Sequence, residues 1–229
     1  MNLKDEIIIA IAKGRILEEG MKLLNQIGIR TKESMQDSRK LIYDTNYNKL
    51  KLVIVRAADV PTYVGNGAAD IGIVGKDTLT EYGSNNIYTP LDLNISKCRM
   101  VLACLPNHSP GPRIKVATKY EKCANDFFIK KKIQVDIIKL YGSMELAPIL
   151  GLSDYIVDLV DSGKTLKANG LKEVETIFDV SAQLVTNKAS MKTKTESVEQ
   201  FRQYQNKLMT DHLISAKLYF RFHLLLHKQ

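Results

Sequence analysis

The stretch Ile156–Asn169, IVDLVDSGKTLKAN, gathers residue types that suit an anion. A buried strand ending at Val160 is expected to run into Asp161-Ser162-Gly163-Lys164-Thr165, with a short helix after it. The first N–H groups of a helix have no partner inside it, glycine lets the backbone come close, and Ser162 and Thr165 add hydroxyl donors. The positive end of the helix dipole favours the same charge. Gly163-Lys164-Thr165 looks like the end of a Walker A loop, but that motif needs glycine five residues before Gly163, where this chain has Asp158. It is a phosphate loop of another kind. Asp158 narrows the ligand further. A carboxylate inside an apolar strand is costly unless it is paired or bound. It cannot favour a phosphate, but it can accept hydrogen bonds from a sugar diol or hold Mg2+. A phosphate loop with an acid at its root suits a phosphorylated sugar. Taken singly, the loop is equally an ordinary strand-to-helix turn, and Asp158 a solvent-facing residue at a strand edge.

The elements that must position this loop are legible as alternating patterns. Ile7–Ala12 is an unbroken apolar run, followed by a helix expected over Ile16–Gln26 with Leu17, Met21, Leu23 and Leu24 at helical spacing. Further strands are expected near 41–44, 50–55, 70–74, 100–105, 114–117, 135–140, 155–160, 176–180 and 183–186. Helices are expected near 60–67, 120–131 and 196–208. Lys76-Asp77 reads as a capped turn. Non-alternating apolar strands interleaved with helices imply sheets covered on both faces, the α/β class, in which ligands bind beyond the carboxyl ends of the strands.

The chain has 229 residues, 45% of them hydrophobic and 25% charged, which is ordinary for a globular protein. Cys98, Cys104 and Cys123 are too few and too irregular for a disulfide framework or a zinc site and are read as reduced thiols. The acidic start at Asp5-Glu6 and the short apolar runs argue against a signal peptide and a membrane span, so the expected location is cytoplasmic. The net charge of +8 comes without Trp and without an aromatic-interleaved basic stripe. It therefore fits a substrate rich in phosphates rather than nucleic acid.

Several blocks carry a family resemblance. Tyr141–Pro148 (YGSMELAP) and the following GLSDYIVDLVDSGKTLKANGLKEVETI resemble the PRPP-binding region of the ATP phosphoribosyltransferase family. Ala12–Arg15 (AKGR), VRAADVPTYVGNGAADIGIVGKD from Val55 to Asp77, KCRMVLA from Lys97 to Ala103 and VATKY from Val116 to Tyr120 are similar to other parts of it, in order. The resemblance implies an α/β protein with two lobes of type II periplasmic-binding-protein-like architecture around a central cleft. Lobe one would comprise 1–95 plus 188–229, and lobe two 96–187 with the phosphate loop. It implies transfer of the phosphoribosyl group of PRPP to N1 of ATP with release of pyrophosphate, at the entry to histidine biosynthesis.

By the same resemblance Asp161, Ser162, Gly163, Lys164 and Thr165 would bind PRPP, with the Asp161 side chain turned away from the phosphate. Glu145 and Asp158 would lie near the ribose and a Mg2+ carried mainly by substrate phosphates. Lys13, Arg15 and Arg56 would be the catalytic cations facing the pyrophosphate and ATP phosphates, and Lys76 and Asp77 would contact ATP. The short form of the family is implied, as a catalytic homodimer within a hetero-oligomer whose other subunit resembles histidyl-tRNA synthetase. The apolar tail 212–229 matches no family block and suits either an interface or packing on its own lobe. The alternative reading is a bilobal small-molecule-binding module without catalysis. A different phosphoribosyltransferase would carry adjacent acids ahead of the loop, where Leu159 and Val160 separate Asp158 from Asp161.

Overall fold

The first strand, β1 (Ile7–Ala12), has Ile7, Ile9, Ala10, Ile11 and Ala12 fully shielded from water. A strand sealed on both faces must be sandwiched between layers, and the surrounding elements supply them. The computed structural model describes residues 3–35, 38–83, 86–109 and 111–203. The expected tail 212–229 lies outside these residues. In chain order β1 leads to α1 (Arg15–Gln26), β2 (Ile42–Asp44), β3 (Leu50–Val55), α2 (Val60–Gly65), β4 (Ile71–Gly75), α3 (Lys76–Tyr82) and β5 (Ile87–Asp92). There follow β6 (Cys98–Cys104), β7 (Ile114–Thr118), α4 (Glu121–Lys130), β8 (Val135–Lys139), α5 (Leu146–Ile149) and β9 (Tyr155–Val160). The last elements are α6 (Lys164–Ala168), β10 (Lys172–Val180), β11 (Ala182–Asn187) and α7 (Ser190–Thr193), after which 195–203 are helical.

The chain divides into two compact units, one of 1–74, 84–95 and 183–229, the other of 75–83 and 96–182. This differs in detail from the lobes expected from sequence, for two local reasons. Gln183 and Leu184 of β11 pair with Asp92 and Leu91 of β5, which makes β11 a strand of the first unit's sheet. The Glu81 carboxylate of α3 accepts from the N–H groups of Lys122 and Cys123, which ties α3 to α4 in the second unit.

The first unit carries a six-stranded sheet in the order β2-β3-β1-β4-β11-β5, with β1 parallel to β3 and β4. The second carries a five-stranded sheet in the order β10-β6-β9-β7-β8, with β7 parallel to β8 and β9 and β6 antiparallel to β9. Apart from the added edge strand β2, both sheets share one winding. Two parallel strands flank β1 in the first unit and β7 in the second, and the next position goes to a strand delivered where the chain passes between units, β11 or β6. That is the type II periplasmic-binding-protein-like arrangement.

Strand alternation sorts the second unit's core into two faces. Met100, Leu102, Val116 and Val157 meet Tyr120, Cys123, Ala124 and Phe128 of the α4 side. Val101, Ala103, Ala117, Ile156 and Val160 meet Met144, Ala147, Leu166 and Leu171 on the side of α5 and α6. Each large apolar group so buried contributes about 1.5–3 kcal/mol. In the first unit a β-carbon on Gly72 of β4 would lie 2.8–2.9 Å from methyls of Val64, Val185 and Val60. Gly72→Ala is therefore expected to cost about 1–3 kcal/mol by overpacking. Thermal unfolding of the purified variant should show a midpoint several degrees lower.

Candidate functional site

Asp158 shares the face of β9 that holds Ile156 and Val160, the two core residues beneath α5 and α6. The period-2 alternation that buries its neighbours therefore turns Asp158 to the same face, where it is half-buried and lines a cavity. One cavity of about 220 Å³ is lined by Glu145, Asp158 and the continuous run Leu159–Leu166. It brings together every PRPP-binding residue named from sequence: Glu145, Asp158, Asp161, Ser162, Gly163, Lys164 and Thr165. A larger cavity of about 780 Å³ in the first unit, among Asn66, Tyr88, Asn187, Lys188 and Lys192, has no carboxylate in its lining. The smaller one holds the convergent chemistry.

The loop is shaped by Gly163, whose φ of 75° is left-handed backbone that other residues adopt only with strain. Gly163 stands at the start of α6, its carbonyl accepts from Lys167 N–H at 3.0 Å, and no side chain caps the helix. The first N–H groups of α6 thus remain for a ligand. At five residues α6 has a weak macrodipole, so the donors are these amides and the hydroxyls of Ser162 and Thr165 rather than the dipole expected from sequence. The Asp161 carbonyl accepts from Arg99 Nη1 at 3.1 Å. Leu166 anchors the helix below through the core.

Burial pushes the Asp158 carboxyl above the ordinary carboxylate range. The negative charges of Glu145 and Asp77 push the same way, while the Leu159 N–H bond to Asp158 Oδ1 (2.8 Å) and the Lys119 ammonium oppose them. A group held in this state gains from any cation or hydroxyl donor that reaches it. Among the described residues no cluster of three or more His, Cys, Asp or Glu side chains forms a metal cage. Glu145 and Asp158 lining one cavity fit magnesium that arrives on substrate phosphates, since Mg2+ is commonly held by one or two carboxylates plus phosphate oxygens and water.

Asp77 departs from the capped turn read in the sequence. It lies in the first turn of α3, is only 6% exposed, and accepts from Tyr120 Oη at 2.8 Å. Burial and the Asp77 charge raise the Tyr120 hydroxyl far above its usual range, which keeps it a donor. Lys76 remains on the surface with its ammonium 5.6 Å from the centre of the Phe178 ring. Sequence reasoning missed Tyr120 and Lys119 as parts of this electrostatic environment, although VATKY had marked the segment. Burial also pushes the Cys123 thiol up to about 12 and raises Cys104, so neither is a thiolate nucleophile near neutral pH.

Lys13, Arg15 and Arg56 belong to the first unit, at the carboxyl ends of its adjacent parallel strands β1 and β3. The Lys13 N–H donates to Val55 O at 2.9 Å, which ties the turn after β1 to the residue preceding Arg56. All three side chains are exposed. Asp59 meets Arg56 through a backbone N–H to carbonyl bond of 2.9 Å, which closes the 3-10 turn Ala57–Asp59.

Comparison with known proteins agrees with these features. The family model for ATP phosphoribosyltransferase matches residues 56–207. An ATP phosphoribosyltransferase of Neisseria meningitidis serogroup B is 56% identical over 197 residues, covering 83% of this chain and 91% of that one. One of Thiobacillus denitrificans is 53% identical over 199 residues, 84% of this chain and 92% of its own. Among solved structures, the ATP phosphoribosyl transferase (HisG:HisZ) complex from Thermotoga maritima matches with a TM-score of 0.79 at 33% identity, over 90% of this chain and 99% of that one. Identity at this level over nearly the whole of each relative sets aside the reading as a binding module without catalysis. The chain belongs to the ATP phosphoribosyltransferase family, glycosyltransferases that open histidine biosynthesis by transferring the phosphoribosyl group of PRPP to N1 of ATP with release of pyrophosphate.

Proposed function

We propose that the 161–165 loop receives the 5′-phosphate of PRPP, with Asp158 and Glu145 accepting from the ribose hydroxyls and helping to hold substrate-borne magnesium. The observation that carries this reading is the single cavity in which both carboxylates meet the whole loop. Amides and hydroxyls grip the phosphate at one end. The carboxylates, which repel phosphate, orient the sugar at the other. Magnesium supplies charge to offset that accumulating on the leaving pyrophosphate. Lys13, Arg15 and Arg56 serve the pyrophosphate and ATP phosphates, where arginine can make bidentate contacts to phosphate oxygens. Lys76 is a further candidate for ATP.

The adenine N1 already carries a lone pair, so no residue has to remove a proton before it attacks C1. Catalysis then rests on alignment of the two substrates and on charge stabilisation in the leaving group. Arg56→Ala is expected to lower kcat/KM at least about tenfold, or ~1.4 kcal/mol of transition-state stabilisation. Steady-state kinetics of a folded variant equal to wild type would remove Arg56 from the machinery.

The catalytic chain is assigned to the short form of the family, as a homodimer working with a separate regulatory subunit that resembles histidyl-tRNA synthetase. The likeness to a HisG:HisZ complex supports this partnership. No helix of the described residues is long and apolar enough to cross a membrane. A cytoplasmic location accords with that and with the free thiols. Mixing the chain with ATP, PRPP and Mg2+, with and without the regulatory subunit, should yield an ultraviolet-absorbing phosphoribosyl adduct. A crystal soaked in PRPP should hold its 5′-phosphate on 161–165; density elsewhere would overturn the assignment of the cradle.

A further inference from the structure

Arg99, at the start of β6, makes an arrangement that the core does not require. It faces Val160, the last residue of β9, across the antiparallel β6–β9 pair, and so lies beside the point where the phosphate loop begins. One guanidinium edge donates to the Asp161 carbonyl, with Nη1 at 3.1 Å. The rest grips Glu173 of β10, with Nε at 3.0 and 3.2 Å from its two oxygens and Nη2 at 2.6 Å from Oε2. Thr176 Oγ1 donates to Glu173 Oε1 at 2.9 Å and holds that carboxylate in place. Asp161 and Glu173 stand at the two ends of the excursion that contains the loop and α6. One side chain clasps both ends.

The consequence follows from peptide geometry. No cis peptide is present among the described residues, and in a planar trans peptide the carbonyl and the next N–H point in opposite directions. A carbonyl of Asp161 turned toward Arg99 turns the Ser162 N–H away from Arg99. The cavity that holds Glu145 and Asp158 is lined by this same peptide and the residues after it. Glu173 meanwhile neutralises the guanidinium, so that Arg99 does not compete as a phosphate ligand on the wrong side of the loop.

We infer that Arg99 is a positioning residue for the phosphoribosyl donor, fixing the Asp161–Ser162 peptide so that the Ser162 amide is presented to the sugar phosphate. This rests on the reading of 161–165 as the phosphate cradle. Arg99 touches neither substrate; it acts through the loop backbone. An ion pair whose side chains are 34% and 30% exposed adds little to global stability, so binding and folding should respond differently to its loss.

The test uses the full chain labelled with 15N and titrated with ribose 5-phosphate, read at the Ser162 and Gly163 amides. In the wild type both signals should shift and saturate. In Arg99→Ala the affinity should fall about tenfold or more, with the unfolding midpoint within a few degrees of wild type. The KM for PRPP should rise by a similar factor while the KM for ATP changes less than about twofold. Arg99→Lys keeps the charge but cannot span both partners, and it should restore little of the loss. Glu173→Gln, which keeps an acceptor and drops the charge, should weaken ribose 5-phosphate binding without unfolding and covers the case of an unstable alanine variant. Silent amides in the wild type would sink the cradle itself. Normal wild-type shifts with undiminished affinity in Arg99→Ala and Glu173→Gln would overturn the role of Arg99 alone, as would a lysine variant equal to wild type.

Discussion

Asp158→Asn is expected to cut kcat/KM by about a hundredfold or more, ~2.7 kcal/mol, while leaving the protein as stable as wild type or more so. The two effects have one cause. The carboxylate lines the cavity with Glu145 and the 161–165 loop, where burial and the neighbouring charges of Glu145 and Asp77 raise its pKa above the ordinary 3.8. An acid whose pKa is raised on folding costs stability wherever it is ionised in the fold. That cost is full above the folded pKa, shrinks as pH falls through it, and is gone below the unfolded value. Asparagine keeps an oxygen to accept the Leu159 N–H bond and removes the charge. The variant should therefore unfold at the same temperature or a few degrees higher near neutral pH, and the difference should fade on acidification. The lost function has the same origin, because a strained carboxylate is what gains most from sugar hydroxyls and magnesium. Proton release on binding PRPP with Mg2+ in mildly acidic buffer, absent in Asp158→Asn, would report the linkage directly. Kinetics unchanged from wild type would take Asp158 out of the ribose site, and a large fall in the unfolding midpoint would make it a structural acid.

The parts of this molecule that were legible in its sequence are those fixed by local pattern. Ile7–Ala12 reads as a strand buried on both faces because no polar residue interrupts it, and β1 is such a strand. The run into Asp161–Thr165 reads as a strand, a glycine turn and a helix, and each forms where its chemistry places it. What stayed hidden depends on partners distant in the chain. Lys76–Tyr82 looks like a turn because seven residues show too little periodicity, yet Tyr120 and α4 hold it as a helix and bury Asp77. β5 escaped notice because Pro90 and flanking polar residues disguise Ile87–Asp92, which pairs only with β11, a strand reached after the chain has returned to the first unit. β10 begins at Lys172, well before the apolar stretch that announces it, because the residues from Lys172 to Thr176 lie on an exposed edge that needs no hydrophobic signal. The clasp between Arg99 and Glu173 spans 74 residues of chain: β10 pairs antiparallel with β6, which sets Arg99 opposite Asp179 and Glu173 opposite Ala103, and the two long side chains reach along the sheet to meet.

The same dependence on distant partners makes Asp70 a sensitive polar residue of the first unit. Asp70→Ala is expected to destabilise that unit by about 3 kcal/mol, near the lower end of the cost of breaking a buried charge pair. Asp70 is only 3% exposed at the entrance to β4. Its Oδ2 accepts from the Ile8 N–H at 2.9 Å, its Oδ1 from Ser190 Oγ at 2.7 Å, and the Lys194 ammonium reaches both oxygens at 2.9 and 3.0 Å. One carboxylate thus joins the central strand β1 to α7 and the segment that follows it. Alanine would leave the Ser190 hydroxyl and the Ile8 amide without their acceptor in a place that water barely reaches. The Lys194 side chain is 31% exposed and also donates to Glu6 O at 2.7 Å, so it recovers part of its solvation, which is why the lower end applies. For a chain of this size the loss corresponds to a midpoint lower by roughly 6–12 °C. Asp70→Asn, which retains acceptors for Ser190 and Ile8, should lose less. Limited proteolysis should cut the 188–203 segment faster in the alanine variant, because one of its ties to the sheet is gone while those through Asn187 and Asp5 remain. Because Asp70 belongs to the first unit and does not line the cavity of the second, ribose 5-phosphate affinity at a temperature where the variant is folded should match wild type. An unchanged midpoint would show that hydration replaces these bonds without cost, and that the Ala189 and Ser190 N–H bonds to Asn187 Oδ1 suffice to hold the start of α7.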